Sequence, residues 1–583
     1  MCIFCNAGIP QRHFGRGRSL GSRLTTRRGF LAGAAATGAA AASGLSLFRP
    51  RPARADVGNP PGGSGQAGQR YVIQGGSVMT MDGGEYAQAD VVVEGKKIVA
   101  VGPNAGAGFG GEVIDATGRI VMPGFIDTHH HQFETALRSF LADGVLILDG
   151  DAQPEGNYAY YTSILLGFAP VYRPQDVYIN EVFGGLSQLD DGVTTVHDVS
   201  QIHHTPQHSD AAVQALFDTG RRAAFGYFEG AGEGVVVVTP GYAYPTDATR
   251  LKNTWFSSSD QLVHMIMGGE VYLGNASTIA SWTIGRKLGL QIAAHILSPF
   301  GIAPIFNQLA QDQLGSQIPG GFRGVGPDNL FIHMTGMSDT GWKAVHDRGA
   351  QVSLAVPIEM NMRHGMPPIL RLQSLGMQPS LSVDVECTLT ADFFTQMRSM
   401  MNQQRALVNQ MTLDGSAGPN PLDWGIPASP PSNQWPTYPN GTLPAPLTTR
   451  DVLRYATING AKALGLDNKV GTLTLGKEAD IIILDATRIN VAPLNQVPGA
   501  VVSLMDRTNV ETVIIAGKVR KWKGQLLDNV TGAPMDLRGL RAQLEASRDY
   551  LFQQYINNPF VGNPVTGKPP ITHGIPKDLF RSN

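Results

Sequence analysis

Eight short apolar runs, separated by helix-like segments, occupy the middle of this chain and limit its possible folds. The runs are Gly124–Asp127, Val193–Val199, Ala223–Tyr227, Leu262–Ile266, Gln291–Ile296, Asn329–Met334, Gln351–Ala355 and Ser380–Val385. Between and after them, Gln175–Asp190, Ser209–Asp218, Thr278–Leu288, Asp339–Asp347, Pro368–Leu375 and Ala391–Gln410 carry helical patterning. Strands that alternate with helices pair in parallel through crossovers, and eight such units predict a (β/α)8 TIM-like barrel. Reactive side chains in that architecture gather at the C-terminal ends of the strands.

Five ionisable groups stand at such ends. Strand one runs into His129-His130-His131, strand five ends in His295, strand six in His333 and strand eight in Asp384. Successive side chains on a strand face opposite ways, so His129 and His131 share a face and His130 opposes them. At about 3.3 Å per residue the pair lies about 6–7 Å apart along the backbone, close enough to converge on one metal ion. By spacing alone a metal pair and a merely polar strand end fit equally. The further groups at other strand ends favour the metal.

Both flanks of the barrel read as β structure. Residues 70–122 form short strands around Gly75-Gly76, Asp82-Gly83-Gly84 and Glu94-Gly95 turns, and residues 470–530 do the same around Ile481–Asp485 and Val510–Lys518. Neither piece has a full core, so the two ends are expected to build one composite β-sandwich around an inserted barrel spanning 123–469. Residues 56–69 are Gly/Pro-rich and predict a linker, and 531–583 a C-terminal extension. Residues 411–446 predict a long loop near the barrel mouth, whose Trp424, Trp435 and Tyr438 either contact substrate or pack the loop.

The first 55 residues differ from the rest. They hold nine arginines and no acid or lysine, with Thr25-Thr26-Arg27-Arg28-Gly29-Phe30-Leu31 ahead of an Ala/Gly-rich run and Ala53-Arg54-Ala55 after it. This is similar to a twin-arginine signal peptide and implies the twin-arginine export machinery as a partner, with a periplasmic or extracellular destination. The run is too short and mild for a stable membrane span after cleavage. Cleavage would remove nine of the 45 cations and none of the 47 acids, leaving a formal charge of −11, which disfavours nucleic acid as a partner. It would also remove Cys2 and Cys5 and leave Cys387 alone, so no internal disulfide is expected.

The motifs P-G-F-I-D-T-H-H-H, D-G-V-T-T-V-H-D-V-S (Asp191–Ser200), L-S-V-D-V-E (Leu381–Glu386), A-T-I-N-G-A-K-A-L-G-L (Ala456–Leu466) and G-T-L-T-L-G-K-E-A-D-I-I-I-L-D (Gly471–Asp485) together resemble the amidohydrolase superfamily. The T-H-H-H start is similar to its branch of triazine hydrolases and guanine or cytosine deaminases, which use one metal ion. The fourth strand has no lysine to bridge two ions, which agrees. The resemblance implies His129, His131, His295 and Asp384 as ligands of one divalent ion, Zn²⁺ or Fe²⁺. It implies Asp384 as the acid–base group and His333 as the residue facing the attacking water or the substrate oxygen.

Two departures stand out. Where deaminases of this branch place a proton-shuttling glutamate, three residues after the strand-five histidine, this chain has Ser298. After strand seven, Glu359, Arg363 and His364 lie near the mouth. Glu359 is either a substitute proton carrier or an ion-pair partner of Arg363. His364, His197 and His203 are candidate substrate contacts, and His208-Ser209-Asp210 reads as a helix start capped by Ser209 or Asp210.

The expected activity is hydrolysis of a non-peptide C–N bond in a small cyclic amide, amidine or N-heterocycle by metal-activated water. The rivals are an aminohydrolase, a hydrolytic dechlorinase and, from another class, an exported ligand-binding barrel without turnover. A homo-oligomer is compatible with all of them.

Overall fold

The computed structural model describes residues 58–147, 159–230, 241–316, 318, 321–413 and 443–557. The arginine-rich leader, most of the 411–446 segment with Trp424, Trp435 and Tyr438, and the last part of the C-terminal extension lie outside the described residues. The described residues from Asn59 onward form one compact unit.

Eight parallel strands form the barrel in chain order: Phe125–His130, Val193–Ser200, Arg222–Tyr227, Val263–Gly268, Ile292–Ile296, Asn329–His333, Gln351–Leu354 and Ser380–Leu381. The sequence-predicted runs coincide with them to within a few residues. The interior is filled by alternate side chains: Ile126, Ala224, Ile266, Ala293, Leu330 and Ile332 form one buried cluster. The intervening residue Phe331 points the other way and packs edge-on against Phe306 of helix Ala303–Ala310, 5.0 Å between ring centres. Burying each such side chain contributes about 1.5–3 kcal/mol, and the period-2 pattern decides which face receives it.

The last strand closes onto the first through backbone bonds at the site itself. Asp384 N–H donates to His129 O at 2.9 Å, and His131 N–H donates to Asp384 O at 2.8 Å. The segment that completes the barrel therefore also fixes Asp384 against the histidines.

The flanking segments build one mixed sheet of nine strands. Its middle joint pairs Arg119–Pro123 with Ile481–Asp485 in antiparallel register, Ile482 opposite Met122. The sheet curls onto itself rather than remaining open: Ile98 N–H donates to Lys477 O at 3.0 Å, and Ala479 N–H to Lys96 O at 2.8 Å. Val91, Val93 and Ile98 from one end of the chain thereby share a core with Ile481, Ile514 and Trp522 from the other. The composite sandwich is thus a single folded-over sheet.

Several expectations are corrected. The described part of the predicted linker is docked: Gly95 N–H donates to Gln69 O at 2.8 Å, and Val519 N–H to Ser64 Oγ at 3.2 Å. The 411–446 segment begins inside helix Phe393–Leu413. The helix expected to start at His208 starts at Pro206, with Thr205 as its N-cap. Proline is pre-organised for the first helical position, which moves the boundary ahead of Ser209. The C-terminal extension supplies helix Leu537–Asn557, whose Tyr555 stacks on Phe168 at 4.1 Å between ring centres. Among the described residues no helix is long and apolar enough to cross a membrane.

Candidate active site at the barrel mouth

Strict alternation from Ile126 would turn His130 inward. Ile126 lies in the interior cluster, and Thr128 bonds Ser353 Oγ at 2.7 Å and Ser380 Oγ at 2.8 Å across the barrel. A shift of register between Asp127 and His130 breaks the alternation. It brings His129 and His131 to the inner face and sends His130 outward, where its Nδ1 lies 3.9 Å from Asp127 and its Nε2 3.7 Å from Glu386. Irregular steps of this kind re-aim side chains next to active sites.

Two other site residues owe their direction to unusual backbone. His333 has φ +70° and Asp384 φ +71°, in the left-handed region that few side chains adopt. Such positions persist where surrounding structure holds them, as the barrel-closing bonds do for Asp384.

The result is a buried cluster of nitrogen and oxygen atoms. His129 Nε2 lies 3.0 Å from Asp384 Oδ1 and 3.3 Å from His295 Nε2, and His131 Nε2 is 3.6 Å from the same carboxylate oxygen. Ligand atoms of His129, His131 and His295 lie within 4.8 Å of one another, and so do those of His129, His333 and Asp384. Burial lowers His129 and His131 well below the usual histidine range, so both are neutral and offer lone pairs. Neutral imidazoles and a carboxylate converging in one buried cluster present several lone pairs to a common point, and a cation is what such a donor set fits.

Glu270, which follows strand four, was missed by sequence reasoning. Its Oε1 accepts from His295 Nδ1 at 2.5 Å and its Oε2 from the His295 backbone N–H at 3.0 Å. Burial by itself lowers the His295 pKa, but the charge and hydrogen bond of Glu270 outweigh it and raise the value above the ordinary one. A carboxylate on the far nitrogen fixes the tautomer and strengthens the other nitrogen as a ligand. Gly269 makes the placement feasible: a Cβ there would meet the Trp282 ring at 2.5 Å, and Trp282 Nε1–H donates to Gly269 O at 2.9 Å.

His333 lies between two carboxyl groups. Its Nε2 is 3.5 Å from Asp384 Oδ2, and its Nδ1 is 3.0 Å from Glu359 Oε1. Burial pushes Glu359 well up, and the repulsion of Asp384 adds to it. Burial also lowers His333 to about 4, leaving a neutral ring whose Nε2 faces Asp384. Glu359 therefore stands behind His333. Its Oε1 also accepts the Ala355 N–H at 2.9 Å, and it is absent from the cavity wall.

The structure separates the other candidates. His364 lines the cavity, its ring edge-on to His333 at 4.8 Å and its Nδ1 3.8 Å from Asp384 Oδ2. His197 is turned into the barrel, with Nδ1–H donating to Thr128 O at 2.9 Å. His203 has both nitrogens occupied: Nε2–H donates to Ser200 O at 2.8 Å, and Nδ1 accepts from Ser209 Oγ at 2.9 Å. Neither His197 nor His203 reaches the cavity wall. Ser298 is held through its backbone N–H by Thr335 Oγ1 at 3.0 Å and is also absent from the wall.

The cavity encloses about 420 Å³ including its open mouth. His131, His295, His333 and Asp384 form its floor, and Leu146, Leu165, Leu297, Phe300, Met362 and Val385 supply apolar walls. Tyr160, Gln201 and Tyr272 complete the lining. Mostly apolar clefts with a few convergent polar groups are the usual form of small-molecule sites.

Comparison with known proteins shows the family and the fold. The amidohydrolase family profile matches residues 120–424 and 443–520. A 5'-deoxyadenosine deaminase from Methanosarcina barkeri is 25% identical over 464 residues, covering 77% of this chain and 92% of the relative. A 5-methylthioadenosine/S-adenosylhomocysteine deaminase from Pelotomaculum thermopropionicum is 25% identical over 484 residues, covering 78% and 94%. Among solved structures, a zinc-bound adenosine deaminase from Xanthomonas campestris superposes with a TM-score of 0.62 at 20% identity, covering 85% of this chain and all of the other. A zinc complex of atrazine chlorohydrolase from Arthrobacter aurescens gives 0.59 at 19% identity, covering 82% of this chain and all of the other. With the family profile spanning the barrel and the strands after it, and the strand-end histidines brought together in its mouth, the chain belongs to the amidohydrolase family.

Proposed function

We propose that this protein is a metal-dependent hydrolase that cleaves a non-peptide C–N bond in a small N-heterocycle, cyclic amide or amidine. The observation that supports it most is the convergence of His129, His131, His295 and Asp384 in one buried cluster. One divalent ion held by those four residues, with zinc the best match to three nitrogens and an oxygen, would polarise a water and lower its pKa toward neutrality.

The remaining chemistry belongs to the chain. Asp384 lines the cavity and its Oδ2, 3.5 Å from His333 Nε2, makes no hydrogen bond, so it is placed to take the proton of the attacking water and pass it to the leaving nitrogen. His333, whose Nε2 faces Asp384, donates from that nitrogen to the oxygen that gains charge as the carbon becomes tetrahedral. Glu359 positions that ring. Water is limited by the apolar wall of Leu146, Leu297 and Phe300.

A second reading, an aminohydrolase that releases ammonia from a heterocycle, is supported by the deaminase names of the relatives. It requires Asp384 to serve both proton transfers, because Ser298 carries no ionisable group. The arginine pair at Arg27-Arg28 and the Ala53-Arg54-Ala55 sequence support export of the folded enzyme.

The test is a turnover screen of the full-length protein across lactams, ureides, aminoheterocycles and aryl amides. The expected result is hydrolysis of at least one class, loss of activity on removal of metal with a chelator, and recovery with zinc. Activity that survives complete metal removal would contradict the proposal.

A further inference from the structure

A second cavity opens at the other end of the barrel and encloses about 1950 Å³ including its mouth. Its walls are the segments that lead into strands Val263–Gly268, Ile292–Ile296 and Asn329–His333, together with helix Gly460–Ala463 and the chain after it. Ile266, Leu464 and Leu466 of the interior cluster form its apolar base. Glu270 and His295 stand at the opposite ends of the same strands, so this cavity is separate from the one described above.

The wall carries one sign of charge. Lys252, Arg286, Arg323, Lys462 and Lys469 are five cations facing a single acid, Asp328. That acid is already shared, since Arg286 Nε lies 2.9 Å and Arg323 Nη2 2.6 Å from the same oxygen, Oδ2. The three lysines have no acidic partner among the described residues. Lys252 Nζ donates to Phe256 O at 2.7 Å and Lys469 Nζ to Ser259 O at 2.9 Å, contacts that fix an ammonium group without neutralising it. The acid closest to Lys469 in effect, Asp260, is bonded to Lys96 at 3.1 Å and is not on the wall. Ser257, Ser258 and Ser259 add hydroxyl donors beside the lysines. The whole chain has a formal charge of −2, so these cations are a local concentration and not the general character of the surface.

We propose that this cavity is a binding site for a small molecule carrying several phosphate or sulfate groups, held by Lys252, Lys462 and Lys469. A cleft walled by one sign of charge focuses its field and concentrates counter-ions. Each carbonyl-bound ammonium keeps N–H donors for an oxyanion, and charge-assisted hydrogen bonds of that kind are the strong ones. A single oxyanion would meet only part of a wall this wide, whereas several on one molecule engage lysines from separate segments together. The site is independent of the chemistry at the barrel mouth.

The experiment is calorimetric binding of inositol hexasulfate to the full-length, zinc-loaded protein at about 150 mM salt, where weak surface attraction is screened. Uncharged inositol is the control, and hydrogen–deuterium exchange locates the bound probe. The expected result is a Kd below about 100 µM with slowed exchange in residues 252–259 and 462–469, and no binding of inositol. The double variant Lys462→Gln/Lys469→Gln should weaken binding at least about tenfold, and Lys252→Gln alone should weaken it less. Lys343→Gln, an exposed lysine on helix Asp339–Asp347, should leave it unchanged. Protection confined to the arginine-rich residues 1–55, or an unchanged affinity in the folded double variant, would overturn the proposal. So would binding of phosphatidylglycerol vesicles that depends on Lys462 and Lys469 while the soluble probe fails to bind, since that would make the wall a membrane contact.

Discussion

Asp384→Asn is expected to lower kcat/KM by about 10³–10⁴-fold on the best substrate from the screen, even with zinc in excess. The substitution is nearly isosteric and leaves both barrel-closing backbone bonds, to His129 O and from His131 N–H, in place. What it removes is the anionic oxygen 3.0 Å from His129 Nε2 and the proton-accepting oxygen 3.5 Å from His333 Nε2. The fold should survive, because a neutral amide buried among imidazoles has no charge to desolvate. Circular dichroism and the melting temperature separate loss of chemistry from loss of structure. His364→Gln, on the same wall but outside the four-residue cluster, should act mainly through KM. An Asp384→Asn enzyme retaining activity within about tenfold of wild type would remove Asp384 from its assigned role.

The largest stability effect is expected far from the site. Arg222 opens the third barrel strand and is 2% exposed. Its guanidinium donates to Glu478 Oε2 at 2.7 Å and to Asp480 at 2.9 and 3.1 Å, joining the barrel to the strand segment that returns from the far end of the chain. Asp480 Oδ1 also accepts the Ala516 N–H at 2.7 Å. Arg222→Met should therefore leave buried Asp480 without its cation and Glu478 with only Lys97 Nζ, 3.8 Å away, and cost about 3–5 kcal/mol, read as a lower denaturant midpoint. Neutralising the partners as well, with Glu478→Gln and Asp480→Asn, should recover much of the loss. The single variant being as stable as wild type would show that the carboxylates are better solvated than their burial indicates.

The barrel was legible because its signal is repeated: eight apolar runs, each bounded by helical patterning, reinforce one another. The five strand-end groups were legible for the same reason, since each follows an apolar run directly. Glu270 obeys the same rule but escaped it. The Met267-Gly268-Gly269 step ahead of it looks like the end of the strand, whereas the strand runs through Gly268 and the following glycine accommodates the Trp282 ring. Glu359 was visible as an acid near the mouth, but which side of His333 it occupies depends on the short helix Val356–Asn361. The histidines after strand two share one composition and different fates: His203 is held by Ser200 and Ser209, while His204 Nε2–H donates to Ala169 O, a partner distant in sequence. Hydrogen bonds to remote backbone leave no local pattern to read.

The central claim is that four residues on three strand ends hold one metal ion, and elemental analysis of the purified full-length protein tests it most directly. About one equivalent of divalent metal per chain is expected. His129→Asn should lose most of it, while His130→Asn, whose ring faces Asp127 and Glu386 instead of the cluster, should keep most of it. Less than about a tenth of an equivalent in the wild type after zinc loading, or equal loss in the two variants, would contradict the account.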